Sequence, residues 1–472
     1  MNQSTNRAMR RLGGRHRWRL PLASAAAAVT LSVAACNTDK FLAVQDPDVS
    51  RPSALGGPGG LRVLLNAAIG DFQVGFSGEG PVTNGTEGLV NLTGLFTDEF
   101  FFSETFPTRL VVDRRDITPI NSTMRDIFFS IQKARVSAAT ASAAFARYNP
   151  KAIGHSEALN LEAYTYVLMG ETYCNGVPIS SVDQNGIVHY GAPESDAQLF
   201  ATAVAKFDTA LSIATALDAT DPTAPQFEYL ARVGGARALI DESLANLAAA
   251  ATMVGPVPTN FEYRIFHSKN TQRQYNGVWE LMYNEGRWVQ SNCEDCDSTG
   301  TGGNGLYFRN GDPRTAFITI PGATFTAYRF GRTFWGPAKY ASRDSAVVLA
   351  SGIEARLIQA EAQLNAGGDW LGTLNALRAT VPGLAPLTDP GTPTARQTLL
   401  FTERAFWMYA TGHRLGDLRR LVRQYGRNSE SVFPSGVYYG RGGGHYGTET
   451  SFPIPFEETN NPNFKQCTNT DA

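Results

Sequence analysis

The chain has 472 residues, 43% of them hydrophobic, with 41 basic and 43 acidic side chains and a formal charge of −2. That length can bury a large core and permits two or three domains. Six of the basic residues fall within the first 35; the remainder carries 35 basic against 43 acidic groups, a formal −8, which argues against nucleic acid or an anionic membrane face as the main ligand.

Arg7, Arg10, Arg11, Arg15, Arg17 and Arg19 precede any acid, the first being Asp39. An alanine-rich apolar run follows from Leu20 to Ala35, and then Cys36. A basic head, a short apolar core and small residues before a cut site mark an export signal over 1–35. The run falls short of a bilayer span of roughly 20 residues. Val33-Ala34-Ala35-Cys36 resembles a bacterial lipobox, which makes Cys36 the expected lipidated N-terminus of the mature chain; the alternative is an ordinary cleaved signal with an incidental cysteine. Residues 36–50 are polar and form a tether. No second long apolar run follows, so no transmembrane helix is expected.

From there the apolar spacing is helical. A helix is expected at about Gly60–Ile69 and another at about Ser122–Tyr148, with Phe128, Ile131 and Ala138 on one face. Ala158, Leu161, Thr165 and Leu168 predict a third; Phe200, Val204, Phe207, Leu211 and Ala214 a fourth; Leu230, Val233, Ile240, Leu244 and Leu247 a fifth. Ile353, Leu357, Ala360 and Leu364 predict a sixth. Alanines at the contact positions let neighbouring helices approach closely, in the manner of tetratricopeptide-like pairs. Three stretches lose the period: Asp71–Ile120, Pro256–Ala341 and Asn428–Thr450. They are rich in Gly, Asn, Thr and aromatics, and long loops of this kind commonly carry function.

The cysteines beyond Cys36 are Cys174, Cys293, Cys296 and Cys467, which an exported chain can oxidise. Cys293-Glu294-Asp295-Cys296 suits a small loop disulfide or free thiols; one such pair is a weak zinc signal. No H-E-x-x-H, G-x-S-x-G, P-loop or dinucleotide fingerprint occurs. Neither enzymatic activity nor a cofactor or metal is expected.

Near the end, Thr402-Glu403-Arg404 opens a run in which Glu403, Arg404, Gly412, Arg414, Asp417, Leu418, Arg419 and Arg420 match the pattern E-R-x-x-E-L-x-x-E-G-x-R-x-x-D-L-R-R. This pattern resembles the SusD/RagB family of outer-membrane nutrient-binding lipoproteins. Glu354 to Ala362, with Glu354 and Glu361, is similar to that family's A-E-x-x-L-I-x-A-E-A helix, and Asn375-Ala376-Leu377-Arg378 to its L-N-x-x-R segment. Phe452-Pro453-Ile454-Pro455 and Asn461-Pro462-Asn463 resemble its closing signature. Weaker echoes are Asp98-Glu99, Glu157-Ala158 with Tyr164, and Asp312-Pro313-Arg314. The family's second and third acids fall on Trp407 and Thr411, and an expected arginine falls on Ser351, so this is a divergent member whose buried ion pairs are rewired.

The resemblance implies a mainly α, SusD-like fold: a tetratricopeptide-like helical frame over about 55–255 and 342–425, a loop-rich ligand region over 256–341 and a closing segment over 426–472, all in one domain from residue 51. It implies a surface lipoprotein that passes an oligosaccharide, or a peptide or other nutrient, to a SusC-like TonB-dependent transporter; a helical envelope scaffold without a ligand is the second reading and a glycosidase the third. The motif acids and arginines are expected to be framework rather than a catalytic pair. Sugars need flat apolar faces and planar polar groups. Trp288, Arg287, Tyr307 and Asn276, with Phe102 as a further wall, are the expected contacts on composition and placement. The competing reading is that these aromatics pack the loops onto the helices.

Overall fold

The computed structural model describes residues 57–81, 86–183, 187–292, 294, 306, 308–320, 334–440 and 442–472. Cys36 with the whole export and tether segment, Cys293, Cys296 and Tyr307 lie outside the described residues.

The helical frame begins with α1 (Leu61–Ser77) and α2 (Leu89–Phe96), followed by strand β1 (Phe100–Phe102) and α3 (Pro107–Asp113). Then come α4 (Ser122–Tyr148) and α5 (Ile153–Thr172). Short strands β2 (Val177–Pro178), β3 (Ser181–Val182), β4 (Val188–His189) and β5 (Pro193–Glu194) lead to α6 (Asp196–Leu217), α7 (Ala224–Glu242) and α8 (Leu247–Met253). Successive long helices pack as neighbours: α4 on α1, α5 on α4, α6 on α5 and α7 on α6. This is the expected mainly helical, paired architecture.

Local chemistry sets the boundaries. Asn121 caps α4 by accepting from the Met124 amide at 3.1 Å, and Ser195 with Gln198 forms a capping box at the start of α6. Two expectations need correction. The helix drawn from Leu230 through Leu247 is broken, because Ser243 turns extended and its hydroxyl accepts from the Ala245 amide, capping a new turn that leads into α8. The stretch Asp71–Ile120 is not all irregular, since α1 runs on to Ser77 and α2 and α3 follow. Helix α5 also differs from a surface helix. Enclosed by its neighbours, it buries Asn160, Glu162 and Thr165 as well as its apolar stripe. Helix α6 is long and apolar enough to cross a membrane by length and composition alone, yet Leu199, Phe200, Ala203 and Phe207 pack it between α5 and α7.

The irregular middle is stitched to the frame by short antiparallel pairs. Strand β6 (Glu262–Ile265) pairs with β10 (Val347–Ser351), and β8 (Phe317–Ile320) with β9 (Phe334–Pro337). Strand β7 (Trp288–Gln290) pairs with β1 in the register Phe100 to Gln290, Phe101 to Val289 and Phe102 to Trp288. After β10 come α9 (Gly352–Ala366), α10 (Trp370–Arg378), α11 (Pro393–Trp407) and α12 (Arg414–Arg423). The tail then returns to α5. The Cys174 amide donates to Phe452 O at 2.9 Å, and a Cys174–Cys467 disulfide with a Cα separation of 5.9 Å fixes the closing segment there.

Candidate functional site

Two groups of charged residues claim attention, and they differ in what surrounds them. The first is the C-terminal run. Arg404 grips Asp417 with three contacts, Nε at 3.0 and 2.9 Å and Nη2 at 2.7 Å, and both residues are buried. Burial pushes the Asp417 carboxyl up, but the charge and hydrogen bonds of Arg404, joined by Arg420, outweigh it and hold it below the usual carboxylate range. Arg420 pairs with Glu361, and Arg237 bridges Glu171 and Glu354. Arg419 donates to the carbonyls of Gly170 and Tyr173 at 2.7 and 2.9 Å and to Asp196 at 2.9 Å. One guanidinium thus satisfies the open end of α5 and joins it to the start of α6. Arg414 donates to Glu294 at 2.9 Å. Gly412 sits at φ +83 between α11 and α12, a conformation that favours glycine.

The departures from the pattern have partners. Glu403 accepts from Arg314 and Arg378, both at 2.7 Å, and from Trp407 Nε1 at 3.2 Å, so the tryptophan donates where the pattern has an acid. Thr411 donates to Met408 O at 2.6 Å, and Ser351 caps α9 by accepting from the Glu354 amide at 3.1 Å. His413 is held far below its usual value, at about 3, by burial and by the charge of Arg237, and its Nδ1 lies 3.1 Å from Glu171. Glu403 and Asp417 are therefore consumed by buried donors, which is the arrangement of a structural lock.

The second group lines an open groove of about 780 Å³. Its wall is one face of α4, where Ser122, Arg125, Asp126, Phe129, Ser130 and Lys133 follow the helical period. The opposite side comes from Asp71 and Val74 on α1 and from Phe106, Thr108 and Arg109 at the start of α3; Arg273 and Arg287 reach in from the irregular middle. A node of three glycines makes this meeting of segments possible. Gly78 and Gly88, at φ +82 and +84, and Gly277 approach so closely that a Cβ on any of them would fall 2.2–2.5 Å from a neighbouring backbone atom.

Phe106 is the groove's central apolar surface. Half its area is open to solvent, and the guanidinium carbons of Arg109 and Arg287 lie 5.0 and 5.2 Å from its ring centroid. Those arginines are fixed from behind. Arg109 donates to Glu87 at 2.6 Å and to Glu104 at 3.0 Å, and Arg287 donates to Glu104 at 2.7 Å and pairs with Glu285. Burial opposes the charge on Arg287, but these two carboxylates outweigh it and raise its pKa. Asn121 Nδ2 donates to Thr108 O at 2.8 Å, locking α3 against α4. The outcome is an aromatic face with planar donors, hydroxyls and carboxylates around it, on rigid elements.

Of the four predicted contacts among the described residues, Arg287 alone lines this groove. Trp288 is fully buried and donates from Nε1 to Asn91 Oδ1 at 3.1 Å, so its ring offers no face to a ligand. Phe102, its cross-strand partner, is buried too. Asn276 is enclosed, accepting from the Trp279 amide and donating to Ser345 O. These three pack the middle region onto the frame, and Tyr307 lies outside the described residues. Phe106 and Phe129 were missed. Phe129 did leave a signal, as an aromatic off the buried stripe of α4 and flanked by Arg125 and Lys133. Among the described residues, no group of three or more His, Cys, Asp or Glu side chains is placed to hold a metal ion.

No protein-family profile and no curated protein matches the sequence. Solved structures do resemble it. A SusD-like carbohydrate-binding protein from Bacteroides fragilis aligns over 88% of this chain and 100% of its own at 14% identity, with a TM-score of 0.63. A laminarin-binding SusD-like protein aligns over 87% and 99% at 13% identity and a TM-score of 0.57. A surface glycan-binding protein A from Bacteroides uniformis aligns over 86% and 98% at 13% identity, also at 0.57. At such identities the likeness is one of fold, and the chain has the SusD-like fold in a divergent form.

Proposed function

We propose that this chain is a divergent SusD/RagB-type receptor that binds an oligosaccharide or polysaccharide in the groove around Phe106. It hands the ligand to a SusC-like TonB-dependent transporter. Export through residues 1–35 and lipid on Cys36 would hold it at the bacterial outer membrane, facing outward. The observation that carries the reading is the half-exposed Phe106 ring flanked by Arg109 and Arg287. A sugar's apolar face stacks on such a ring while its hydroxyls meet guanidinium, Thr108, Ser122 and Thr123. The fold, and the glycan ligands named for two of the similar structures, support the same class of ligand. The mechanism is capture and release without bond cleavage.

Calorimetric titration of the purified chain with a panel of neutral and acidic polysaccharides tests this. Phe106→Ala should weaken binding by about 1 kcal/mol or more, near the value of an aromatic contact at a recognition site, and should leave the melting temperature unchanged because the ring is half open. Binding of peptides with no binding of any glycan would transfer the same machinery to the other nutrient class. Isolation from membranes without a large barrel protein would remove the transporter from the account.

A further inference from the structure

The groove holds charged groups at two depths. Asp71 is buried and accepts from Ser137 Oγ at 2.6 Å, from Lys133 Nζ at 3.0 Å and from Arg273 Nη2 at 2.6 Å. Glu87, buried as well, is taken by Arg109. Arg109 and Arg287 lie deep with their carboxylates, and three further cations stand at the rim: the side chains of Lys133, Arg273 and Arg125 are 63%, 49% and 38% exposed. Against them the rim sets Asp126, 44% exposed and paired with Arg125 at 2.8 Å, and the half-buried Glu79. At Asp71 two cations share one carboxylate, both on Oδ1. Both cations keep about half or more of their side chains open to solvent, and Phe129 lies one helical turn from Lys133 on α4, so their outer N–H groups face the groove beside an aromatic ring.

We infer that the groove selects acidic glycans, with a uronate carboxylate seated between Lys133 Nζ and the Arg273 guanidinium and an adjoining sugar ring against Phe129. The inference rests on the glycan-binding reading and narrows its ligand class. A ligand carboxylate there completes an alternating set of two cations and two anions, while Ser137 engages the other oxygen of Asp71, Oδ2. Charge-assisted contacts of this kind are short and strong.

The test uses the purified full-length chain and oligogalacturonate, oligomannuronate and oligoglucuronate, each beside its own methyl ester, with laminarin oligosaccharides as neutral ligands and a sulfated galactan as the other anion. At least one free acid should bind tenfold or more tighter than its ester. The advantage should shrink as salt rises from 50 to 300 mM and fall severalfold in Lys133→Gln and in Arg273→Gln. Each substitution leaves Asp71 one cation, and unchanged melting curves establish that both variants fold. Equal affinity for every acid and its ester, with neutral glycans binding, overturns the inference and leaves the glycan receptor standing. A preference for acids that survives both substitutions removes the seat at Asp71. Binding of the sulfated galactan but of no uronate overturns the carboxylate assignment. Failure of every glycan overturns the receptor reading itself.

Discussion

Arg404→Leu is the sharpest probe of the C-terminal lock. The guanidinium makes three contacts of 2.7–3.0 Å to Asp417, and both groups are buried. Removing one partner of such a pair leaves an uncompensated buried charge and costs about 3–5 kcal/mol. Arg420 stands 3.8 Å from Asp417, but it is committed to Glu361 and compensates only in part. With an unfolding entropy near 2.1 cal/mol/K per residue over roughly 400 folded residues, a loss of ~4 kcal/mol lowers the melting temperature by about 5 °C. The pH dependence has a definite sign. The folded Asp417 carboxyl lies below its unfolded value, so its contribution is full above the unfolded pKa and is lost as pH falls through the folded one. In the variant, burial acts alone and raises that carboxyl. The deficit is therefore largest near pH 7 and shrinks toward pH 4. Replacing both residues with leucine removes the charges together and should recover more than half of the loss. A single-variant cost below about 1 kcal/mol, or a double variant equal to the sum of the singles, would refute the lock.

Trp288→Ala should destabilise the fold by about 3–5 kcal/mol through the cavity it leaves, measured by denaturant unfolding; an unchanged midpoint with weaker glycan binding would return Trp288 to the ligand surface. The Cys174–Cys467 bond closes a span of 293 residues. Loop entropy alone assigns it about 6 kcal/mol, so Cys467→Ser should melt well below the parent, and a melt insensitive to dithiothreitol would show the bond contributes little. Burial raises the Asp113 carboxyl to about 7, against weaker lowering by the Tyr438 hydroxyl and the Phe102 amide. The folded state then holds that proton more tightly than the unfolded one, and parent stability falls as pH climbs from about 4 to 7. Asp113→Asn should gain on the parent by on the order of 1 kcal/mol between pH 5.5 and 7.5; a difference that does not vary with pH would place the carboxyl in its ordinary range.

The frame was legible where local and tertiary signals agree. Asn121 and the stripe Met124, Ile127, Phe128, Ile131 delimit α4 because the cap and the buried face are written in adjacent residues. The break at Ser243 was hidden, since the apolar spacing carries on through it and only a hydroxyl bond interrupts the helix. The end of the chain was legible as framework, and its departures at Trp407 and Ser351 turn out to be alternative donors and caps. The groove was least legible. Aromatics are denser in the irregular middle than on the frame, so composition pointed to Trp288 and Phe102, whose burial depends on the β1–β7 pairing of residues nearly 200 positions apart. The pairing of Cys174 with Cys467 has the same character, as four cysteines allow three connectivities.

Arg419, Arg420 and Arg423 on α12 are the counter-ions of Asp196, Asp241 and Glu361, residues placed 59 to 227 positions earlier in the chain. Until those arginines have been synthesised, the carboxylates they neutralise cannot be buried at an acceptable cost, and α5 keeps an open end. Helices α5 to α7 must therefore stay loosely assembled while the chain grows, and nine-tenths of it has emerged before the last turn can set them. A product truncated before α12 should behave as a collapsed, protease-sensitive globule rather than as a smaller native protein.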